Sequence, residues 1–489
     1  MAGGGKKHRL ADSSDGARKA AKLSDHRQEQ KEEEDSLTAA EIYYEEAGLQ
    51  RIHAYFHKFA TFAKGRWIGR TIFEVFSSEF RDRPSAYYES AIVKGIIEIN
   101  NAQVQPSTAV RNGDLVTHFI HRHEPPVTTQ PLSIVCETDE GLLVVDKPGS
   151  IPVHPTGRYN YNSVTKILEK KHGYPSLFPI NRLDRLTSGL LLVGLNSNIA
   201  RRMESDLAAH RIQKEYICRV KGVFPTGRIV CDQPIRVVAH KLSLNCVDRE
   251  EGKPSLTEFE LLAVDDDQLH SVVYCRPKTG RTHQIRVHLQ FLGYPIANDP
   301  LYCNQEVWGD DMGKNGALPA SQILPPATTP LLALAASVNV SAMTPAELAV
   351  LKSVPSDASE KVITSVSGSG DGGRKQKKTK MVGTTNTSFS KNESNVAWGP
   401  LVRRMEEWKT KQELAVLVDT PLDSEAPRKC DKCADPFLPD PTPEQLCIWL
   451  HAWRYSGPGW SYETELPEWA NSAKEHIDRV KYVKEPVVD

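Results

Sequence analysis

The sequence predicts an α+β protein, and three observations carry that prediction. Short apolar runs, Leu142-Leu143-Val144-Val145 and Leu190-Leu191-Leu192-Val193, are bounded by turn residues and have the length of buried strands. Other segments space their apolar groups for one helix face: Ile72, Phe73, Val75 and Phe76, and again the stretch from Ile199 to Ala209. A chain of 489 residues, 39% of them apolar, is long enough for a sizeable core and more than one domain.

Composition excludes several classes. Lysine and arginine balance aspartate and glutamate to a net charge of −1, so a nucleic-acid site must be a local basic groove rather than a global field. Nine cysteines without dense regular spacing point to a reducing compartment rather than a disulfide scaffold. No apolar run approaches the roughly 20 residues that span a bilayer, so no membrane partner is expected. The N-terminus is basic (Lys6, Lys7, Arg9, Arg18, Lys19, Lys22), but Glu32, Glu33, Glu34 and Asp35 follow. Transit peptides are poor in acids, so a mitochondrial address is disfavoured and cytoplasm or nucleus is expected.

The elements follow in order. Residues 1–45 are rich in Gly, Ser, Lys and Glu and are expected to be disordered, with structure beginning near Ile42-Tyr43-Tyr44. Residues 46–124 hold a small module. It has a helix over Ile72–Phe76, a second opening at Ser85 and closed by Gly95, and a strand Ile96–Ile99. The Asn100-Asn101 turn leads into Ala102–Val104, and Gly113-Asp114 precedes a strand over Leu115–Ile120. Prolines 125, 126 and 131 mark a linker over 125–133. A larger domain over 134–302 opens with Leu142–Val145, which ends in Asp146-Lys147-Pro148-Gly149. Ser197-Asn198 caps the helix to Ala209, Lys214–Val220 reads as a strand, and Lys253–Phe259 begins a strand pair. A glycine turn at Thr279-Gly280-Arg281 then starts a helix carrying Gln284, Arg286 and His288. Residues 303–398 lose periodicity and read as a disordered insertion with a basic run at Lys375, Lys377, Lys378 and Lys380. Order returns over 399–489.

The chemistry centres on Asn181-Arg182-Leu183-Asp184-Arg185-Leu186-Thr187-Ser188-Gly189, just before the Leu190–Leu195 run. An aspartate at the mouth of a buried strand is placed by a rigid element, and flanking arginines favour its ionised form. That suits a nucleophile or general base, and equally a structural Arg-Asp-Arg cluster. Tyr216, in Lys214-Glu215-Tyr216, offers a face for stacking and a phenol, or simply fills the core. Arginines at a helix N-terminus, around Arg281 and Gln284, attract a phosphate or a catalytic carboxylate. Cys430, Cys433, Cys447 and His451 have the residue types of a Cys₃His zinc site, though Cys447 and His451 at a spacing of four also suit helix packing.

Three of these strings, in order, resemble the motifs of the RluA-type pseudouridine synthases: Lys147-Pro148 with Val153-His154-Pro155, Arg182-Leu183-Asp184-Arg185 with Thr187-Ser188-Gly189, and Thr279-Gly280-Arg281 with His283-Gln284-Ile285-Arg286 and His288. Asn181 stands where the family more often has histidine. The resemblance implies a catalytic domain around a mixed, mainly antiparallel sheet, acting without cofactor or metal to turn uridine in RNA into pseudouridine. It implies Asp184 as the catalytic residue, Tyr216 against the base, and Arg286 paired with Asp184. It further suggests Arg182 for the space left by the flipped base, and Arg185, Arg281, Gln284, Lys147 and His288 for RNA contact. The module at 46–124 resembles an S4-like RNA-binding unit, with Arg66, Arg70, Arg81, Arg83, Lys94 and Arg111 available to phosphates. Leu450-His451-Ala452-Trp453-Arg454-Tyr455 and the tail beyond it resemble the extension of the eukaryotic tRNA pseudouridine-32 synthases, which implies a tail packed on the catalytic domain and uridine 32 of tRNA as substrate. Ribosomal or messenger RNA, or a catalytically silent RNA-binding scaffold, are the alternatives. A zinc deaminase is excluded, since Lys429 rather than proline precedes Cys430.

Overall fold

A computed structural model describes residues 37–80, 85–240, 242–266, 268–316, 398–419, 430 and 439–481. Order begins earlier than residue 46. A capping box at Thr38 and Glu41 starts α1 (Ala39–Ile42), which runs into the hairpin β1 (Tyr43–Glu46) and β2 (Leu49–Ile52). Ile42, Tyr43 and Ile52 bury against the large domain's core, and the Tyr43 hydroxyl donates to the Tyr161 carbonyl. The expected tail over 1–36 lies outside the described residues.

The small module spans β3 (Tyr55–Phe62), α2 (Ile72–Glu79), α3 (Ser85–Val93), β4 (Ile97–Ile99), β5 (Ala102–Gln103) and β6 (Leu115–Arg122). Its strands order as β3-β6-β4-β5, and Trp67, Ile72, Val75, Phe76, Tyr88 and Ile92 form its own core. Both Asn100 and Asn101 have positive φ, the backbone of a tight hairpin turn that favours asparagine. The chain returns through β7 (Val127–Thr128), which pairs with β2.

The large domain follows with β8 (Ser133–Glu137), β9 (Leu142–Lys147), α4 (Val164–His172), β10 (Phe178–Pro179), β11 (Ser188–Gly194), α5 (Ser197–Ala208) and β12 (Gln213–Lys221). Next come β13 (Arg228–Cys231), β14 (Ile235–Ala239), β15 (Leu244–Val247), β16 (Thr257–Val264), β17 (His270–Pro277), α6 (Gln284–Leu292) and α7 (Gln305–Trp308). The C-terminal part adds α8 (Gly399–Asp419), β18 (Leu450–Gly457), β19 (Trp460–Glu463) and α9 (Lys474–Lys481). Residues 303–316, expected to be disordered, are therefore ordered. Lys375, Lys377, Lys378 and Lys380 lie outside the described residues.

The main sheet runs β13-β16-β17-β12-β18-β11-β9-β8, with β10 on β11 and β19 on β18. Only β11 and β18 are parallel, so the sheet is mixed and mainly antiparallel as expected. Leu143–Val145 and Leu190–Val193 are fully buried because β9 and β11 are covered on both faces, which explains their unbroken apolar runs.

The C-terminal part does more than pack on this domain. β18 is an interior strand between β12 and β11, and Ala470, Ala473 and Ile477 cover one sheet face with Trp453 and Tyr274. Gly189 makes the β11–β18 contact possible. Its φ is +107°, and a Cβ there would overlap the Ala452 backbone. His451 therefore lies on a strand, not on a helix as the spacing of four had allowed. No described helix is long and apolar enough to cross a membrane.

Candidate active site

A cleft of about 1430 Å³ opens over the N-terminal end of β12 and the segment before β11. Asp184 lies in its floor. The Thr187 N–H donates to the Asp184 carbonyl at 3.1 Å, closing a turn just ahead of β11, and the Ile448 N–H holds the same loop through the Leu186 carbonyl. The Asp184 side chain remains 29% exposed. Among the residues lining the cleft it is the sole carboxylate, facing Arg182, Arg185, Lys214, Arg276, Lys278, Arg281, Arg286 and Lys409. A chain of near-zero net charge thus concentrates cations at one groove, as an RNA site requires.

The charged partners of Asp184 are not its neighbours in sequence. Within 4 Å of its carboxylate, among the described residues, lie Arg286, whose Nη1 donates to Oδ2 at 2.9 Å, and the His283 imidazole, whose Nε2 is 3.6 Å away. Burial works against the Asp184 charge, but His283 and Arg286 outweigh it and hold the carboxyl below its usual range. Burial pushes the His283 imidazole down to about 4, so at neutral pH the lasting cation beside Asp184 is Arg286. Burial opposes the Arg286 charge as well, but Asp299 and Asp184 hold its pKa above the ordinary value.

Asp299, which the sequence reading did not single out, proves central. It is 1% exposed and binds Arg286 through both oxygens, Oδ2 to Nε at 2.6 Å and Oδ1 to Nη2 at 2.9 Å. Its Oδ1 also accepts from the N–H groups of Leu301 and Tyr302. Arg286 is thereby fixed as a fork with one prong left for Asp184. His283 takes a left-handed backbone, φ 58°, and its Nδ1 lies 2.9 Å from the Tyr302 hydroxyl. Such a conformation in a non-glycine residue marks a constrained site.

Tyr216 also lines the cleft, 8% exposed. Its hydroxyl lies 2.8 Å from that of Tyr455 on β18, and burial raises its pKa to about 12. Asn181 donates from Nδ2 to the Tyr455 hydroxyl at 3.3 Å and accepts the Leu192 N–H at 2.9 Å. The residue that departs from the commoner motif thus has a positioning role that an amide performs well. Sequence reasoning did not find Tyr455, because its link to Tyr216 depends on β18 entering the sheet.

Several expected RNA contacts fall elsewhere. Lys147 is completely buried, and its ammonium donates to the carbonyls of Pro148, Ile151 and Arg185. It ties the loop after β9 to the turn that carries Asp184 and does not line the cleft. His288 is also fully buried, between the Thr257 hydroxyl and the Gln233 carbonyl. Gln284 borders the cleft, but its amide ties Thr279 and the Arg281 N–H to the Leu256 carbonyl and Thr257, shaping the turn that presents Arg281. Arg182, Arg185 and Arg281 are exposed at the cleft, with the Arg185 guanidinium over the Tyr159 ring. His154 is exposed at the rim. In the small module Arg66 and Arg70 are engaged by Glu79, Lys94 and Arg111 are exposed, and Arg81 and Arg83 lie outside the described residues.

The suggested Cys₃His set is not brought together. Both His451 ring nitrogens are engaged, Nδ1 with Ser188 and Nε2 with Thr464. Cys447 sits against Gly149, and Cys433 lies outside the described residues.

The family described as RNA pseudouridylate synthase matches residues 141–291, which hold Asp184, Tyr216 and Arg286. Pseudouridylate synthase RPUSD2 of Homo sapiens is 38% identical over 437 residues, covering 89% of this chain and 76% of that protein. The mitochondrial tRNA pseudouridine(32) synthase of Saccharomyces cerevisiae is 36% identical, over 86% of this chain and 77% of that protein. The tRNA pseudouridine(31) synthase of the same yeast is 35% identical, over 53% of this chain and 74% of that protein. A chain that matches this family over residues 141–291 and is 38% identical to one of its synthases over 89% of its own length belongs to the RNA pseudouridylate synthase family and is an isomerase.

Proposed function

We propose that the protein isomerises uridine 32 of the tRNA anticodon loop, with Asp184 as the catalytic group. The observation that carries this reading is the Asp184 carboxylate, held ionised at the floor of a cleft whose other charged lining residues are cations. In the reaction the N1–C1′ bond breaks, a C5–C1′ bond forms, the C5 proton leaves and N1 gains one. Atoms balance without oxidant or cofactor. Asp184 supplies the nucleophilic or proton-transfer group, and the Arg286–Asp299 fork keeps it charged and aimed. Tyr216 presents its ring to the base, with its phenol oriented by Tyr455. A base within a folded loop must leave its stack, at a cost of a few kcal/mol, and Arg182 at the cleft mouth fills the vacated space. Arg185 and Arg281 meet flanking phosphates. The small module contributes further backbone contacts as an S4-like unit.

Position 32 is favoured over 31 because likeness to the yeast enzyme named for 32 extends over 86% of this chain, against 53% for that named for 31. The acidic run Glu32–Asp35 favours cytoplasm or nucleus, while the yeast relative's name places that protein in the mitochondrion. Imaging the full tagged chain decides between them. The substrate is tested with tRNA transcripts carrying C5-tritiated uridine. Label release that disappears when uridine 32 is replaced by cytidine supports the proposal. Release that persists, or that depends on uridine 31, refutes it.

A further inference from the structure

Two histidines and a cysteine converge at a place the reaction does not use. β6 ends at Arg122, with His121 just inside it and His123 just beyond. On extended chain, residues two apart project to the same side. Their rings lie 4.8 Å apart at 83°. Cys430, distant in sequence, brings its Sγ to 3.5 Å from the His121 Nδ1. One ligand atom from each of the three residues lies within 4.8 Å of the others, the one such metal-compatible trio among the described residues. His121 is 7% exposed and Cys430 partly buried.

We propose that His121, His123 and Cys430 bind a zinc ion that clamps the segment at Cys430 to the small module. Zinc takes thiolate sulfur and imidazole nitrogen in a tetrahedron, and its bond lengths place such ligand atoms about 3.3–3.7 Å apart. The Sγ–Nδ1 separation already fits, and the trio closes with small side-chain rotations. Magnesium and calcium prefer oxygen donors, so two imidazoles and a thiolate select a borderline-soft ion. On binding, the Cys430 thiol releases its proton to solvent, and the imidazoles coordinate in their neutral form. The consequence is architectural. Cys430 precedes β18, and a nearby tether, the Arg51–Asp440 ion pair at 2.5 Å, joins the same stretch to β2. A metal there would hold the approach to β18 against the module that precedes the catalytic domain. The sequence places Cys433 three residues after Cys430, a spacing used by zinc sites, but the proposal rests on the three described ligands.

The test is metal content of the purified full chain after dialysis against zinc and then metal-free buffer. One zinc per chain is expected in the native protein and in Cys447→Ser, and its loss is expected in Cys430→Ser and His123→Ala. His123 is the less buried histidine, so its variant guards against confusing metal loss with unfolding, and circular dichroism checks both. Replacing zinc with cobalt should give a thiolate-to-metal absorption band in the native chain that Cys430→Ser lacks. Zinc lost from the native chain on dialysis, zinc kept equally by Cys430→Ser, or a cobalt spectrum without the thiolate band would each overturn the proposal.

Discussion

Replacing Arg286 with lysine keeps the charge and removes the fork. The guanidinium makes three hydrogen bonds to two carboxylates, one to Asp184 and two to Asp299. A single ammonium on a flexible stem cannot span both. Asp299 is the better-placed partner, fully buried and further held by two backbone N–H groups, so lysine should settle on Asp299 and release Asp184. A charge-assisted hydrogen bond contributes about 1.5–3 kcal/mol. If that contribution is made in the transition state, its loss lowers kcat/KM roughly 10- to 150-fold. The assay is single-turnover tritium release from C5-labelled uridine in an anticodon stem-loop, with folding checked by thermal melting. A folded Arg286→Lys protein with kcat/KM within twofold of native would show that the Asp184–Arg286 contact is structural only.

Other predictions follow from single contacts. Gly189→Ala should lower stability by about 1–3 kcal/mol or more, through positive φ and overlap with the Ala452 backbone, read as a lower Tm. An unchanged Tm would mean that β11 and β18 do not approach as described. Acid should destabilise the fold through His283, His288 and His451, each pushed by burial from 6.5 to about 4. The unfolded chain binds these protons first, so their contribution to stability is full above pH 6.5 and is lost as pH falls toward 4. Urea melts between pH 7 and 4.5 should show this, and His451→Gln should take up about one proton fewer on unfolding. Equal uptake by that variant would place His451 in a solvated setting. Arg182→Ala should slow turnover about tenfold on a folded stem-loop and less on an unstructured oligonucleotide, since only the former pays to unstack the base. An equal loss on both would mark Arg182 as a plain phosphate contact.

The sequence made the candidate site visible where motif and local structure coincide. Asp184 sits at a strand mouth, and Arg286 projects from the first turns of a helix opened by a glycine turn. Their contact, 102 residues apart, was expected and is present. Other features were hidden for physical reasons. Cations at Arg182 and Arg185 looked like the partners of Asp184 because adjacency in sequence suggests proximity, yet the ion pair that Asp184 makes is with Arg286, with the His283 imidazole alongside. Lys147 and His288 were expected as RNA contacts because they stand in motif strings that resemble the family's, and a motif does not show which of its polar residues are buried. Burial of both is possible because backbone carbonyls and a hydroxyl meet their polar atoms. β18 was underestimated because its neighbours in the sheet, β11 and β12, precede it by more than two hundred residues, and local periodicity carries no information about such pairing. With β18 misjudged, Tyr455 and the true surroundings of His451 were out of reach. Asp299 had one usable signal, an acid beside apolar residues that become buried.

The account's central claim is that the Asp184 carboxylate performs the chemistry, and Asp184→Asn tests it most directly. The amide has nearly the same shape, so the variant should fold and bind tRNA with native affinity. In a single-turnover assay with enzyme in excess over C5-tritiated tRNA, the account predicts no detectable release of label from the variant. Release at a rate near that of the native protein would contradict it.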